Sequence, residues 1–137
     1  RDVLCGERAC DVFDEDGRKV VAHWLVPPGR HAYRTYVTKW LGLSHDTTVH
    51  HIRMHIHPYA QSVEFIDATT GTRVWKGRVR NDADKAAVLK TDHYSSVRGI
   101  PLYQDHRYEF VSVYDNPTSR KIDAMAALWM YLLDKDT

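Results

Sequence analysis

Four of the nine histidines in this 137-residue chain lie within eight positions, at His50, His51, His55 and His57. Protonated imidazoles this close together repel one another and fill a core poorly, so a metal ion is the strongest reason to assemble them. On a strand, residues two apart share a face, which places His51, Arg53, His55 and His57 on one side and His50 on the other. His55 and His57 then form a His-x-His pair suited to chelating one ion.

The same pair also arises by chance as two exposed or hydrogen-bonded histidines, so a third ligand from elsewhere in the chain has to be considered. The candidates are His93, His106 and Met125. Taken alone, Met125 suits a core position better than a ligand position. His106 suits a turn cap or a hydrogen bond to Asp105, and His93 lies in loop-like sequence.

A rigid Pro-Pro-Gly turn separates two further histidines, His23 and His31. We interpret both as structural, although either imidazole could approach the cluster in space. His50 and His51 remain candidates either for the same metal site or for a second one.

The elements that would position these residues are strands, because β-branched and aromatic runs alternate with Pro, Gly, Asn and Asp turns. Strands are predicted over residues 19–26, 33–41, 47–57, 62–67, 73–80 and 108–114, with a hairpin turn over 68–72. Residues 81–92 are predicted as a loop with one helical turn near Ala86. Residues 124–133 have a helix-like composition, but their length and their position after a turn favour a buried final strand. The pattern predicts an all-β fold, an antiparallel β-sandwich in a single domain over residues 1–137.

Composition limits the class of protein. A mass of 15.9 kDa with 43% hydrophobic residues suits one packed core. A net charge of +1 without blocks of like charge argues against a nucleic-acid surface. No apolar run approaches the roughly 18–20 residues of a membrane span.

The N-terminal arm, residues 1–17, contains both cysteines, Cys5 and Cys10. A disulfide between them is favoured over a metal-binding thiolate pair, because four intervening residues are many for a zinc knuckle. The sequence opens on Arg-Asp-Val without an initiator Met, so we expect a mature secreted protein or an excised domain, located in the periplasm or outside the cell.

Two separated motifs resemble the C-terminal domain of the ascorbate-dependent copper type II monooxygenases, such as peptidylglycine alpha-hydroxylating monooxygenase and dopamine beta-monooxygenase. They are Arg53-Met54-His55-Ile56-His57 and, from Asp123 onward, Asp-Ala-Met-Ala-Ala-Leu-Trp-Met-Tyr. In that family a His-x-His pair and a Met about seventy residues downstream hold one copper, and here Met125 lies 68 positions after His57. The resemblance covers residues 47–133. It implies a jelly-roll-like sandwich, a strand for the last segment, and a ligand role for Met125.

Two imidazoles and a thioether suit copper, because soft sulfur stabilises Cu(I) while nitrogen ligands tolerate Cu(II). The family, however, pairs two sandwiches and two coppers, and this chain has the length of one sandwich. We therefore expect a secreted or periplasmic copper-binding domain that sequesters, delivers or senses copper, with a redox or copper-transfer protein as partner. The alternative is a monooxygenase-like oxidoreductase that takes electrons from an external donor. A metal-free sandwich that acts through protein contacts is a third hypothesis.

Overall fold

The structure, a computed structural model, describes residues 12–13, 16–17, 19–20 and 23–134. Cys5 and Cys10, and with them the predicted disulfide, lie outside the described residues. In chain order the elements are β1 (Val12–Phe13), β2 (Lys19–Val20), β3 (His23–Val26), β4 (Gly29–Tyr36), α1 (Thr38–Leu41), β5 (Thr47–Ile56), β6 (Ala60–Asp67), β7 (Thr72–Asp82), β8 (Ala87–Thr91), β9 (Tyr94–Leu102), β10 (Tyr108–Asn116) and β11 (Ile122–Leu132).

Two antiparallel sheets face each other. One has the strand order β4-β10-β6-β7-β8 and the other the order β3-β11-β5-β9, while β1 and β2 pair separately. Apart from the β6–β7–β8 meander, successive strands cross from one sheet to the other. With β8 set aside as an added edge strand, these orders are those of a jelly roll. The predicted all-β sandwich is therefore confirmed.

The core lies between the sheets and is built by alternate residues of the facing strands. Its largest fully buried side chains include Tyr108, Tyr114 and Phe65 from the five-stranded sheet and Ile52 from the four-stranded one. Phe65 and Tyr108 stack with ring centroids 5.2 Å apart. Burial of such aromatic area is the main stabilising term of a sandwich this size. Because the core takes one face of each strand, the other face of each sheet remains for function.

Most of the predicted elements agree closely with the structure. The strands predicted over 47–57, 62–67, 73–80 and 108–114 are β5, β6, β7 and β10, with ends that differ by at most two residues. The hairpin turn over 68–72 joins β6 to β7, and the ambiguous final segment is a strand, β11. In the hairpin, the Asp67 carboxylate accepts the backbone N–H groups of Thr69 and Thr70, and Gly71 takes the left-handed conformation with φ of 73°. These are the turn contacts that Asp and Gly favour.

The predictions for residues 33–41 and 81–92 were wrong. The strand predicted over 33–41 ends at Tyr36, and Thr38–Leu41 form a helical turn closed by Gly42 in the left-handed conformation. The loop predicted over 81–92 is instead the end of β7, a turn at positions 83–86, and β8. Leu89 of β8 is 59% exposed, so this edge strand lacks the apolar alternation that prediction depends on.

The strand β9 was not predicted, because Gly99 and Pro101 interrupt its sequence. Proline is tolerated there since β9 is the edge strand of its sheet. Gly99 has φ of 74°, and a Cβ at this position would lie 2.7 Å from the His50 ring. Glycine thus allows β9 to approach His50.

Candidate metal centre

The outer face of the four-stranded sheet presents the His-x-His pair. Ile52, Met54 and Ile56 of β5 are buried, so strand alternation turns His55 and His57 to the outer face. The two rings lie with centroids 5.9 Å apart, nearly perpendicular to one another. The side chain of His57 is 25% exposed, which makes it accessible without being fully solvated.

Met125 lies on the same face, between two histidine-bearing strands. Ala124 is fully buried, so its neighbour Met125 faces outward. The β5–β11 register pairs Ala126 with Ile56, which places Met125 beside His57 one step further along. The β3–β11 register pairs Met125 with His23 on its other side. The sheet therefore brings Met125 and His57 together although 68 positions separate them in the chain.

Asp123 binds the imidazoles of this face. Its carboxylate lies 3.0 Å from His57 Nδ1 and 3.7 Å from His23 Nδ1. A carboxylate on one ring nitrogen fixes the orientation of the ring and leaves Nε2 as the ligand atom, an arrangement common around metal-bound histidines.

A tyrosine from the opposite sheet ties the two ligand-bearing segments together. Tyr114 of β10 is fully buried, and its hydroxyl donates to the Met125 carbonyl at 2.5 Å. The same oxygen accepts the backbone N–H of His57 at 3.1 Å and that of Met125 at 3.3 Å. Burial raises the pKa of Tyr114, and the bonds with His57 and Met125 offset this only in part, so the hydroxyl stays protonated and able to donate.

The ring separations are smaller than the largest that two imidazoles sharing one ion can have. With metal–nitrogen bonds of about 2.0–2.1 Å, two imidazoles on one ion have centroids at most roughly 6.4 Å apart. The His55–His57 and His23–His57 separations, 5.9 Å and 5.7 Å, lie within that limit. Within residues 23–134 and the short described stretches before them, no three His, Cys, Asp or Glu side chains form a ready-made binding group. A metal here would therefore depend on the thioether of Met125 and on small rotations of exposed imidazoles.

His50 and His51 do not join this group. The β5–β9 register shifts between Val49 and His51, and Val49 and Ile52 are both buried although three positions apart. This bulge breaks the strict alternation that placed His50 on the core face. Both of its ring nitrogens are hydrogen-bonded, Nε2 to Thr48 Oγ1 at 2.6 Å and Nδ1 to the Ser96 carbonyl at 3.0 Å.

The ring of His51 stacks on Tyr131 with centroids 5.1 Å apart. His51 lies four residues before His55, which is about 13 Å along a strand. That distance puts it beyond an ion held by His55 and His57.

His93 and His106 lie elsewhere. His93 is exposed in the link between β8 and β9, where the pairing of Tyr94 with Ile52 places it nearer Arg53 than His57. His106 Nδ1 lies 2.6 Å from the buried Asp67 carboxylate, at the β6–β7 end of the other sheet. The hydrogen bond predicted to Asp105 is not formed, since His106 Nε2 lies 3.9 Å from that carboxylate and the ring bonds Asp67 instead.

His23 was not among the ligands predicted from the sequence, although its imidazole was expected to be able to approach the histidine cluster. The available signal was the alternation of β3, in which Trp24 and Val26 pack into the core and leave His23 outside. Only the pairing of β3 with β11 shows that His23 meets Met125.

An apolar pocket lies between the two sheets beside β11. It has a volume of about 430 Å³ and is lined by core-side residues of both sheets, such as Phe65, Leu128 and Met130, together with Trp40 and Trp129. The Trp129 ring also lies 5.9 Å from the ring of His55. One exposed tryptophan therefore borders both the pocket and the histidine pair.

Comparisons with protein-family models, with curated proteins and with solved structures give no match. Any functional assignment has to come from the residues themselves. In the part of the chain that the structure describes, no helix has the length and apolarity required to cross a bilayer.

Proposed function

We propose that this protein binds copper through His55, His57 and Met125 and serves to sequester, deliver or sense it. The observation that carries the proposal is the strand register, which puts the outward-facing Met125 beside His57. A buried methionine would be core filler, but one on the outer face between histidines has a donor atom where a ligand is needed. Copper is the metal that this mixture of soft sulfur and imidazole nitrogen favours.

The surroundings of the site support the same proposal. Asp123 lies 3.0 Å from Nδ1 of His57, which fixes the orientation of the ring and leaves Nε2 as its ligand nitrogen. Tyr114 holds the backbone of His57 and Met125 at a fixed separation. Tyr114 and Asp123 thus position two residues, His57 and Met125, that lie outside the core clusters.

The first test is copper retention and titration. Purified protein that is loaded with copper and then desalted should keep about one ion per chain. The Cu(I) affinity is measured by competition against a chromophoric chelator. Met125→Leu should weaken Cu(I) binding sharply while changing the unfolding free energy by less than about 1.5 kcal/mol. Met130→Leu is the matched control, because Met130 lies on the same strand but packs toward the core. Protein that retains no copper, or equal Cu(I) affinities for both variants and wild type, would contradict the proposal.

The apolar pocket beside Trp129 favours one alternative, an oxidoreductase that activates oxygen next to a bound apolar substrate. Its electrons would come from an external donor such as ascorbate. Copper-loaded protein with ascorbate would then consume oxygen in proportion to an added substrate. Slow oxidation of ascorbate that does not depend on substrate supports the carrier function instead.

A further inference from the structure

We propose that His23 is a fourth protein ligand, so that copper is held by three imidazoles and one thioether. This inference rests on the proposed copper site and extends it to a strand outside the His-x-His and Met motifs. A copper ion held in this way would have four protein ligands and no open coordination position, which suits holding and transferring copper.

His23 lies beside Met125 on the outer face of the four-stranded sheet. Trp24 and Val26 pack against the core, so His23 and Leu25 face outward. His23 is the direct partner of Met125 in the register of β3 and β11. The order β3-β11-β5 therefore places Met125 on the central strand, with His23 on one side and His57 on the other.

The second argument is the direction in which the two rings lean. Neighbouring strands lie about 4.8 Å apart, so residues two strands apart have backbones separated by about 9.6 Å. The His23 and His57 ring centroids are nevertheless only 5.7 Å apart. The two side chains lean toward each other across Met125, which closes the space above its side chain.

The third argument is the carboxylate that the two rings share. Asp123 faces Nδ1 of both His57, at 3.0 Å, and His23, at 3.7 Å. The short contact leaves Nε2 of His57 as the ligand atom, and the longer one turns Nδ1 of His23 toward the same carboxylate. The His23 side chain is 56% exposed, so it has room for the rotation that binding requires.

Four ligands of this kind hold both oxidation states of copper. Imidazole nitrogens satisfy Cu(II), and the thioether adds the soft donor that Cu(I) prefers. The His2Met set alone would leave a position to be filled from solution. With His23 in that position, release would proceed by exchange of one protein ligand for a ligand of the acceptor.

The test counts imidazoles on Cu(II) by pulsed electron paramagnetic resonance and measures Cu(II) affinity by competition. Wild-type protein should show three bound imidazoles. His23→Ala should show two, with affinity lower by at least about tenfold, since even the loss of an orienting partner costs about 10–100-fold. His31→Ala is the matched control, because His31 is a half-buried histidine of the other sheet whose Nε2 lies 3.0 Å from the Pro28 carbonyl.

The possible results separate the two proposals. Two imidazoles in the wild type, or an unchanged spectrum and affinity in His23→Ala, would overturn the role of His23 and leave the His55, His57 and Met125 site standing. Wild-type protein that binds no copper would overturn both. The unfolding midpoint of His23→Ala should equal that of the wild type, which shows that the loss is one of binding.

Discussion

Two close histidine–aspartate pairs, His106–Asp67 beside the five-stranded sheet and His57–Asp123 on the four-stranded one, differ in what surrounds them. His106 and Asp67 lie 2.6 Å apart, and the Asp67 side chain is only 7% exposed. The Asp67 carboxylate also accepts two backbone N–H groups of the β6–β7 turn. His57 and Asp123 lie 3.0 Å apart on an open face, and Asp123 is 57% exposed.

Under the proposed function, the same residue types stabilise a loop in one place and orient metal ligands in the other. Buried Asp67 has its acceptors occupied, so its pair with His106 joins the β6–β7 turn to the loop before β10 and has a structural role. Asp123 lies beside His57 and His23 on the sheet face next to the Met125 position. The predictions below test this contrast between a structural pair and a ligand pair.

The largest effect is expected when the removal of His57 is compared with the removal of His106. His57→Ala should lower copper affinity by more than about 100-fold, because it deletes a ligand where the loss of an orienting partner alone costs about 10–100-fold. His106→Ala should leave copper affinity unchanged and lower the melting temperature. Copper competition and thermal unfolding on both variants measure this. Equal copper affinities in the two variants would abolish the distinction.

Asp67→Asn should destabilise the fold by about 1.5–3 kcal/mol, because it weakens hydrogen bonds made to a charged, buried acceptor. Chemical denaturation gives the free energy of unfolding. Copper affinity should not change, since Asp67 lies in the other sheet. A variant as stable as the wild type would show that the His106–Asp67 pair does not stabilise the fold.

Asp123→Asn should have the opposite profile. Copper affinity should fall by about 10–100-fold, as is usual when a carboxylate that orients a ligand imidazole is lost. Because Asp123 is exposed, the unfolding free energy should change by no more than about 0.5 kcal/mol. Unchanged copper affinity, measured by the same competition assay, would remove Asp123 from the site.

The sequence predicted the features that depend on neighbouring residues in the chain and missed those that depend on which strands pair. The alternation of β5 placed His55 and His57 on one face, and the resemblance drew attention to Met125 and Asp123. The sequence could not predict the bulge that changes the orientation of His50, since a bulge depends on the pairing with β9. Nor could it predict that His106 meets Asp67, 39 positions away. The approach of His23 to Met125 was missed for the same reason, because only the pairing of β3 with β11 brings the two residues together.

The smallest expected effect is the acid sensitivity of the structural pair. Burial alone would raise the pKa of Asp67, but the hydrogen bonds from His106, Thr70 and Thr69 and the attraction of His106 outweigh it and lower the pKa below its usual value. A lowered folded-state pKa gives stability that is present above the unfolded value, about 3.9, and is lost as the pH falls through the folded value. Asp67→Asn should therefore lose less stability than the wild type on acidification below about pH 4. Parallel stability profiles of the two proteins would contradict this assignment.

The most direct test of the account is X-ray absorption of the Cu(I)-loaded protein. The account predicts one sulfur scatterer together with imidazole nitrogens in the wild type and in Met130→Leu. In Met125→Leu the sulfur scatterer should disappear and the imidazoles should remain. A Cu(I) spectrum without sulfur in the wild type, or one whose sulfur persists in Met125→Leu, would contradict the claim that the histidine pair and Met125 converge on one copper ion.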